Sequence, residues 1–212
     1  MARCRVAVYA VSVGLALAGF GLAHGEPVDR PDLERMTPQD PASFTRHGGV
    51  GLIETRSARF LPDGEVAAGA SYAEPLASYY LSWQAAPWLE LTARYGEGRG
   101  MPGDIDRALD LKFRLVEEGD FLPAIALGFQ DALGSGNMSG EYLVFSKRRG
   151  AFDISFGLGW GHPGARDRTG NPFGWLSGSF KRRSANPDRS GVPAVGNYFS
   201  GRIGMFGGIE YM

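Results

Sequence analysis

Three sets of residues in this chain are of types that could carry chemistry. Asp153, Ser155 and His162 are the side-chain types of an acid, a nucleophile and a general base, the members of a hydrolytic triad. Their spacing alone assembles nothing, because a triad is defined by geometry, and a loop histidine without a catalytic role is the plainer reading. Glu90, Arg94, Asp110, Lys112 and Arg114 form a second set, charges that recur at even spacing. Lys181, Arg182 and Arg183 form a third, a compact basic cluster suited to an anionic polymer or lipopolysaccharide, although a basic run in a loop is usually just solvated.

Other chemistries find less support. Residues 159–164 read Gly-Trp-Gly-His-Pro-Gly and match the GxGxxG pattern. That pattern holds a dinucleotide only where a strand opens into a helix, and Pro163 amid a run of strands denies it the helix. His47 and His162 are the only histidines after residue 25, with no cysteine beside them, so no metal and no cofactor is expected.

The element that must position the charged row spans residues 107–131. Leu109, Leu111, Phe113 and Leu115 alternate with Asp110, Lys112 and Arg114, the period-two pattern of a strand with one apolar and one polar face. Glu117, Glu118, Gly119 and Asp120 make a turn, and the chain returns with Phe121, Pro123, Ile125, Leu127 and Phe129 on one face. Each arm approaches the roughly 9–11 residues with which a tilted strand crosses a bilayer. The same alternation recurs at residues 65–73, at 76–84 (Ala77, Tyr79, Leu81, Trp83 together), at 88–95 (Glu90, Thr92, Arg94 opposite Leu89, Leu91, Ala93, Tyr95), at 141–149 with a less clean pattern, at 152–160 and at 199–211. Residues 48–55 read as a short first strand, followed by a turn at 61–64, and 174–183 as a short amphipathic helix inside a long loop.

Connections alternate between short turns (85–87, 117–120, 148–150) and longer loops (96–106, 132–140), as the two rims of an outer-membrane barrel do. Thirty-two glycines among 212 residues are about twice the usual share of roughly 7%; many sit inside strands, where they permit curvature. Trp83, Trp88, Tyr95 and Trp160 fall near strand ends, where interfacial aromatic girdles lie. The expected fold is an all-β, antiparallel, up-and-down transmembrane β-barrel of eight or nine strands, its closure left open.

Arg3 and Arg5 precede an apolar run at 6–22 and small residues at Ala23 and Gly25, which predicts a signal peptide over 1–25 and export, with an uncleaved anchor as the weaker alternative. Residues 26–47 form a flexible leader rich in proline and acid, and 48–212 the barrel domain. Cys4 lies ahead of the apolar run and is not placed for lipid modification at a cleavage site. Losing Arg3 and Arg5 takes the 22 basic residues to 20 against 23 acidic ones, a net charge of −3, which argues against a nucleic-acid partner.

Several ordered motifs carry a family resemblance. Gly48-Gly49-Val50-Gly51-Leu52-Ile53-Glu54-Thr55, Ser57-Ala58-Arg59 and Pro62-Asp63-Gly64 are followed by Asp110-Leu111-Lys112-Phe113-Arg114-Leu115, by Leu122-Pro123-Ala124 and on to Gly128, and by Glu141-Tyr142-Leu143-Val144 with Ser146-Lys147. Gly157-Leu158-Gly159-Trp160-Gly161 and Phe206-Gly207-Gly208-Ile209-Glu210-Tyr211 complete the set. Together they resemble the start of YjbH-type proteins, outer-membrane β-barrels of Gram-negative bacteria associated with exopolysaccharide or capsule production. The resemblance implies a non-catalytic part in that production or export, with outer-membrane lipid, polysaccharide and other pathway proteins as partners. Family members are longer, so it also implies that this chain corresponds to their N-terminal part. Some members are lipoproteins, whereas Cys4 does not meet that pattern.

Two alternatives from other classes make different demands. An outer-membrane enzyme acting on lipid or lipopolysaccharide needs His, Ser and acid clustered at a rim; a soluble periplasmic β-sheet protein needs its apolar strand faces to meet each other. For the charged row, mutual pairing inside a narrow lumen is favoured over a path for an anionic sugar polymer.

Overall fold

The structure is a computed structural model that describes residues 7–9, 43–74, 76–98, 105–136, 138–164, 169–183 and 197–211. The expected signal peptide over 1–25 lies outside the described residues except for Ala7–Tyr9, and so does the expected leader as far as residue 42. Ala7–Tyr9 (β1), Gly51–Leu52 (β2) and Thr55–Arg56 (β3) are short. The wall is made by Val66–Ala73 (β4), Leu76–Ala86 (β5), Leu89–Gly98 (β6), Ile105–Val116 (β7), Ala124–Gly134 (β8), Gly140–Arg149 (β9), Phe152–Gly161 (β10) and Ile203–Tyr211 (β11). These eight strands follow one another in a single antiparallel meander, β4 to β11, and β1 lies along the outer edge of β4. The sheet curls, and no α-helix occurs among the described residues.

Alternation dictates the two faces. Leu81, Trp83, Ile154, Phe156, Met205 and Ile209 are exposed on the convex side. Ser78, Ser82, Gln84, Glu90, Thr92, Lys112, Gln130, Ser146, Asp153 and Ser155 are buried on the concave side. The apolar faces therefore all point outward from one continuous sheet and do not meet in a sandwich. Aromatic side chains mark both margins of the convex face: Trp83, Trp88, Phe152 and Tyr211 towards the short turns, Tyr72 and Tyr79 towards the long loops.

The two rims differ as the loop lengths predict, with one exception. Turns at 87–88 and 150–151 and the 117–123 connection share a rim, while the strand ends that the β6–β7, β8–β9 and β10–β11 connections join lie at the other. The short β4–β5 connection, whose strand ends are Ala73 and Leu76, is also on the long-loop side. The 117–120 turn extends to residue 123, which leaves Phe121 outside β8 and exposed. Residues 174–183 form no α-helix: two 3₁₀ turns, Pro172–Trp175 and Gly178–Lys181, occupy the region. Asn171 clips it together, its amide nitrogen donating to the carbonyls of Phe180 and Phe199 and its side-chain oxygen accepting from Phe173 N–H.

Glycines within strands serve a packing purpose. Tyr80, Tyr142 and Phe206 on the concave side lie directly across from Gly69, Gly128 and Gly157 on the neighbouring strands. In each case a Cβ added to the glycine would fall inside the ring's van der Waals envelope. The rings thus lie flat across the sheet instead of standing up into the interior. Gly128→Val is expected to eject Tyr142 and lower stability by about 1–3 kcal/mol, the range for overpacked sites. A urea midpoint equal to the parent's would show that the ring is not held there.

Candidate functional site

The concave face is filled. Residues 43–61 cross it, and the two-residue strands β2 and β3 pair only with each other. Residues 48–55 are therefore not a strand of the wall. Turns at Gly48 and Gly49, both at positive φ (82° and 75°), let the segment fold back upon itself. Its backbone groups are then satisfied by the wall: Gly49 N–H donates to Ser82 Oγ at 3.0 Å and Ala58 N–H to Ser146 Oγ at 2.8 Å. Ser71 of β4 donates to Arg46 O, while Thr55 Oγ1 reaches Gly207 O of β11 and Ser43 bonds Glu210. One inserted segment thus ties the first and last wall strands to each other. Ala58 and Phe60 pack with Ala124, Ala126, Tyr142 and Val144 in a small apolar core, and Phe206 flanks it.

The charged row meets this segment, and strand register decides the pairing. Glu90 stands opposite Lys112, and their side chains form an ion pair at 3.1 Å with each residue 3% exposed. Lys112 Nζ also donates to Arg59 O at 2.7 Å and Val50 O at 3.4 Å, and lies 4.5 Å from the Phe60 ring centroid. Arg94 faces Ala108, so the acids two positions to either side flank its guanidinium: Asp110 at 3.2 Å and Asp106 at 3.6 Å. Arg114 departs from this arrangement. It sits by the short-turn rim, pairs with exposed Glu117 at 2.8 Å and covers Phe60 at 4.6 Å.

Sequence reasoning missed the partners supplied by the inserted segment. Arg59 grips Asp153 of β10 through two hydrogen bonds, at 2.7 and 2.8 Å, and Glu118 of the 117–123 connection at 2.5 Å. Burial by itself would lower the Arg59 pKa, but the hydrogen bonds and charges of Asp153 and Glu118 outweigh it and raise it. Burial likewise opposes ionisation of Glu118, yet Arg148 N–H, Arg59 and Lys147 hold its pKa below the ordinary carboxylate value. Arg56 donates to Thr45 Oγ1 and Gln130 Oε1 and lies over Tyr142. His47 is buried, and burial followed by the charges of Arg56, Arg94 and Arg46 drives its pKa far down, so it is neutral at neutral pH. Asp106 was within reach of sequence reasoning, since it continues the even-numbered parity of Asp110 and Lys112. Arg56 and Arg59 were not, because nothing local marks a segment that lies across a sheet instead of within it.

Between Gly48–Val50 and the Glu90, Lys112 and Tyr142 side chains, the remaining void is about 10 Å³, near the lower limit for one water molecule. This leaves no room there for a sugar. Among the described residues, no group of three His, Cys, Asp or Glu side chains is placed to hold a metal ion. Asp153 and Ser155 do not meet His162 either. Asp153 is bound to Arg59 and Ser155 to Ser146 at 2.7 Å, while His162 begins a 3₁₀ turn beyond the far end of β10. At about 3.3 Å per residue the separation from Ser155 is roughly 23 Å. The GxGxxG residues likewise run from β10 into that 3₁₀ turn and open no α-helix.

The basic cluster of the long loop is split. Arg183 forms a two-toothed pair with Glu141 of β9, at 2.9 and 3.2 Å, where that carboxylate is 1% exposed. Lys181 and Arg182 are exposed. The same loop covers the convex face at the ends of β8, β9 and β10. Phe173 stacks on Trp160 at 5.8 Å, and Phe199 meets it edge-on at 5.2 Å. Trp160, 2% exposed, is therefore a buried anchor for the loop and not part of an aromatic girdle.

Comparison with known proteins adds a match over residues 43–212 to the YjbH family, described as exopolysaccharide biosynthesis protein YbjH. The match begins where the inserted segment begins, so wall and insert together form the matched unit. A curated protein of Escherichia coli (strain K12), the uncharacterized lipoprotein YjbH, is 34% identical over 212 residues. That alignment covers 95% of this chain and 29% of the relative, so the chain spans under a third of that protein's length. No solved structure matches the chain.

Proposed function

This chain belongs to the YjbH family of exopolysaccharide biosynthesis proteins, and we propose from that premise that its curled sheet is wall of an outer-membrane β-barrel serving exopolysaccharide or capsule production or export. The observation that carries the reading is the inverted radial order. Ion pairs and hydroxyls fill the concave side, whereas large apolar side chains stand uncovered on the convex side, an order that suits lipid outside and protein inside. Wall strands of 8 to 12 residues bracket the roughly 9–11 needed to cross a bilayer. The two bands of convex aromatics fit the girdles at its surfaces.

In this reading the chain is exported to the outer membrane of a Gram-negative bacterium and performs no catalysis of its own. Its partners are outer-membrane lipid, polysaccharide and other proteins of the pathway, with no role for nucleic acid. The inserted segment closes the part of the interior described here, so polymer contact takes place at the loops. Fractionation of the tagged chain, with a heat-modifiability gel on the same sample, tests the proposal. The expected result is recovery with outer membrane, a mobility shift on heating and a reduced exopolysaccharide yield in a deletion strain. Recovery as a soluble periplasmic protein would overturn the lipid-facing assignment.

A further inference from the structure

Near the long-loop rim the two 3₁₀ turns and the start of β11 enclose a cleft of about 490 Å³, lined by Gly170, Asn171, Gly174, Trp175, Lys181, Gly201 and Arg202. That is within the ~300–1,000 Å³ of ordinary small-ligand sites. Trp175 is 83% exposed at its edge. An indole combines a broad apolar face with an N–H donor, which suits it to recognition sites, and no described ring packs against this one. Its neighbours Phe173 and Phe180 lie 5.9 Å apart and brace the turn that carries it, while Asn171 fastens that turn to Phe180 and Phe199. The indole is thus displayed from a fastened support.

Two cations flank it. Lys181 rests its stem against Gly174, and Arg202 comes from the other side of the cleft, far from Lys181 in sequence. Neither forms an ion pair or hydrogen bond with any described residue, although Arg183, two residues from Lys181, is fully engaged by Glu141. The floor is glycine backbone, which admits a flat ligand closely. Among the described residues no aliphatic side chain lines the cleft, so these residues offer nothing to an acyl chain.

We propose that this cleft binds one or two units of an acidic glycan. The C–H-rich face of a pyranose ring lies on Trp175, and a ring carboxylate or phosphate is held by Lys181 and Arg202. Neutral sugar leaves both cations unused, and an anionic lipid lacks a groove for its chains. The assignment rests on the exopolysaccharide reading and gives it a ligand class and a place on this chain.

The test uses the full chain in detergent, titrated with oligogalacturonate, neutral dextran oligomers and inorganic phosphate, followed by tryptophan fluorescence and calorimetry. Oligogalacturonate is expected to bind and dextran to bind at least about tenfold more weakly; Trp175→Ala should weaken oligogalacturonate binding by about tenfold or more. Lys181→Gln and Arg202→Gln should each weaken it and reduce its salt dependence. Absence of oligogalacturonate binding, equal affinity for dextran, or affinity unchanged by Trp175→Ala would each overturn the proposal. So would Trp175-dependent binding to phosphatidylglycerol vesicles without glycan binding, which would make the ring a lipid anchor. Fractionation of Trp175→Ala separates this proposal from the barrel reading, because loss of glycan binding with normal membrane recovery concerns the cleft alone. Glycan binding by a wild-type chain that stays soluble would leave the cleft standing and remove the barrel.

Discussion

Lys112→Met is expected to lower unfolding stability by about 3–5 kcal/mol, the cost of stranding one charge of a buried pair. Glu90 would remain 3% exposed with its cation gone, and the carbonyls of Arg59 and Val50 would lose the ammonium that now links the inserted segment to β7. Pairing the change with Glu90→Gln should restore much of the loss, because no carboxylate is then left charged without a partner. Urea midpoints of the two single variants and the double variant in detergent measure the coupling. A cost for Lys112→Met below about 1 kcal/mol, as for exposed pairs, would mean that water reaches the pair and that the interior is open. That outcome would revive the charged row as a path for a polymer, so the experiment decides between a sealing and a conducting interior.

Phe156→Arg asks what lies against the outer surface. Phe156 stands at the middle of β10, on the convex side, and is 47% exposed. Facing water, such a residue should tolerate arginine within about 0.5 kcal/mol. Facing the centre of a bilayer, the same change should cost about 2–4 kcal/mol and reduce recovery of the heat-modifiable form. Asp63→Arg, in the exposed turn before β4, serves as the comparison and should be near neutral in either environment. Equal, small effects at both positions would place the convex face in water, and the barrel reading would fail with it.

The two experiments address opposite faces of the same sheet, and the contrast between those faces was legible from sequence. Alternation through Leu109, Leu111 and Phe113 against Asp110 and Lys112 is a property of a single extended segment, since successive side chains of a strand point to opposite sides. The wall strands, their approximate ends, the polar side of β6 and β7 and the two unlike rims all follow from that rule. Glu90, Arg94, Asp110 and Lys112 share one face by that spacing, and on the concave side they pair with one another.

Whatever depends on two distant segments was settled only by the tertiary structure. Residues 48–55 have the local character of a strand, yet they lie across the sheet, because the space within the curl and the Ser82 and Ser146 hydroxyls that accept from the segment are supplied by strands remote in sequence. Arg183 belongs to a basic run that looks outward, but the loop returns it to Glu141 and draws Arg202 towards Lys181 in its place. Trp160 sits at a strand end like a girdle residue and is buried instead by Phe173 and Phe199. Short-range periodicity determined which way each side chain points. Register, loop return and the volume left inside the curl determined what each one meets, since these depend on where remote parts of the chain come to lie.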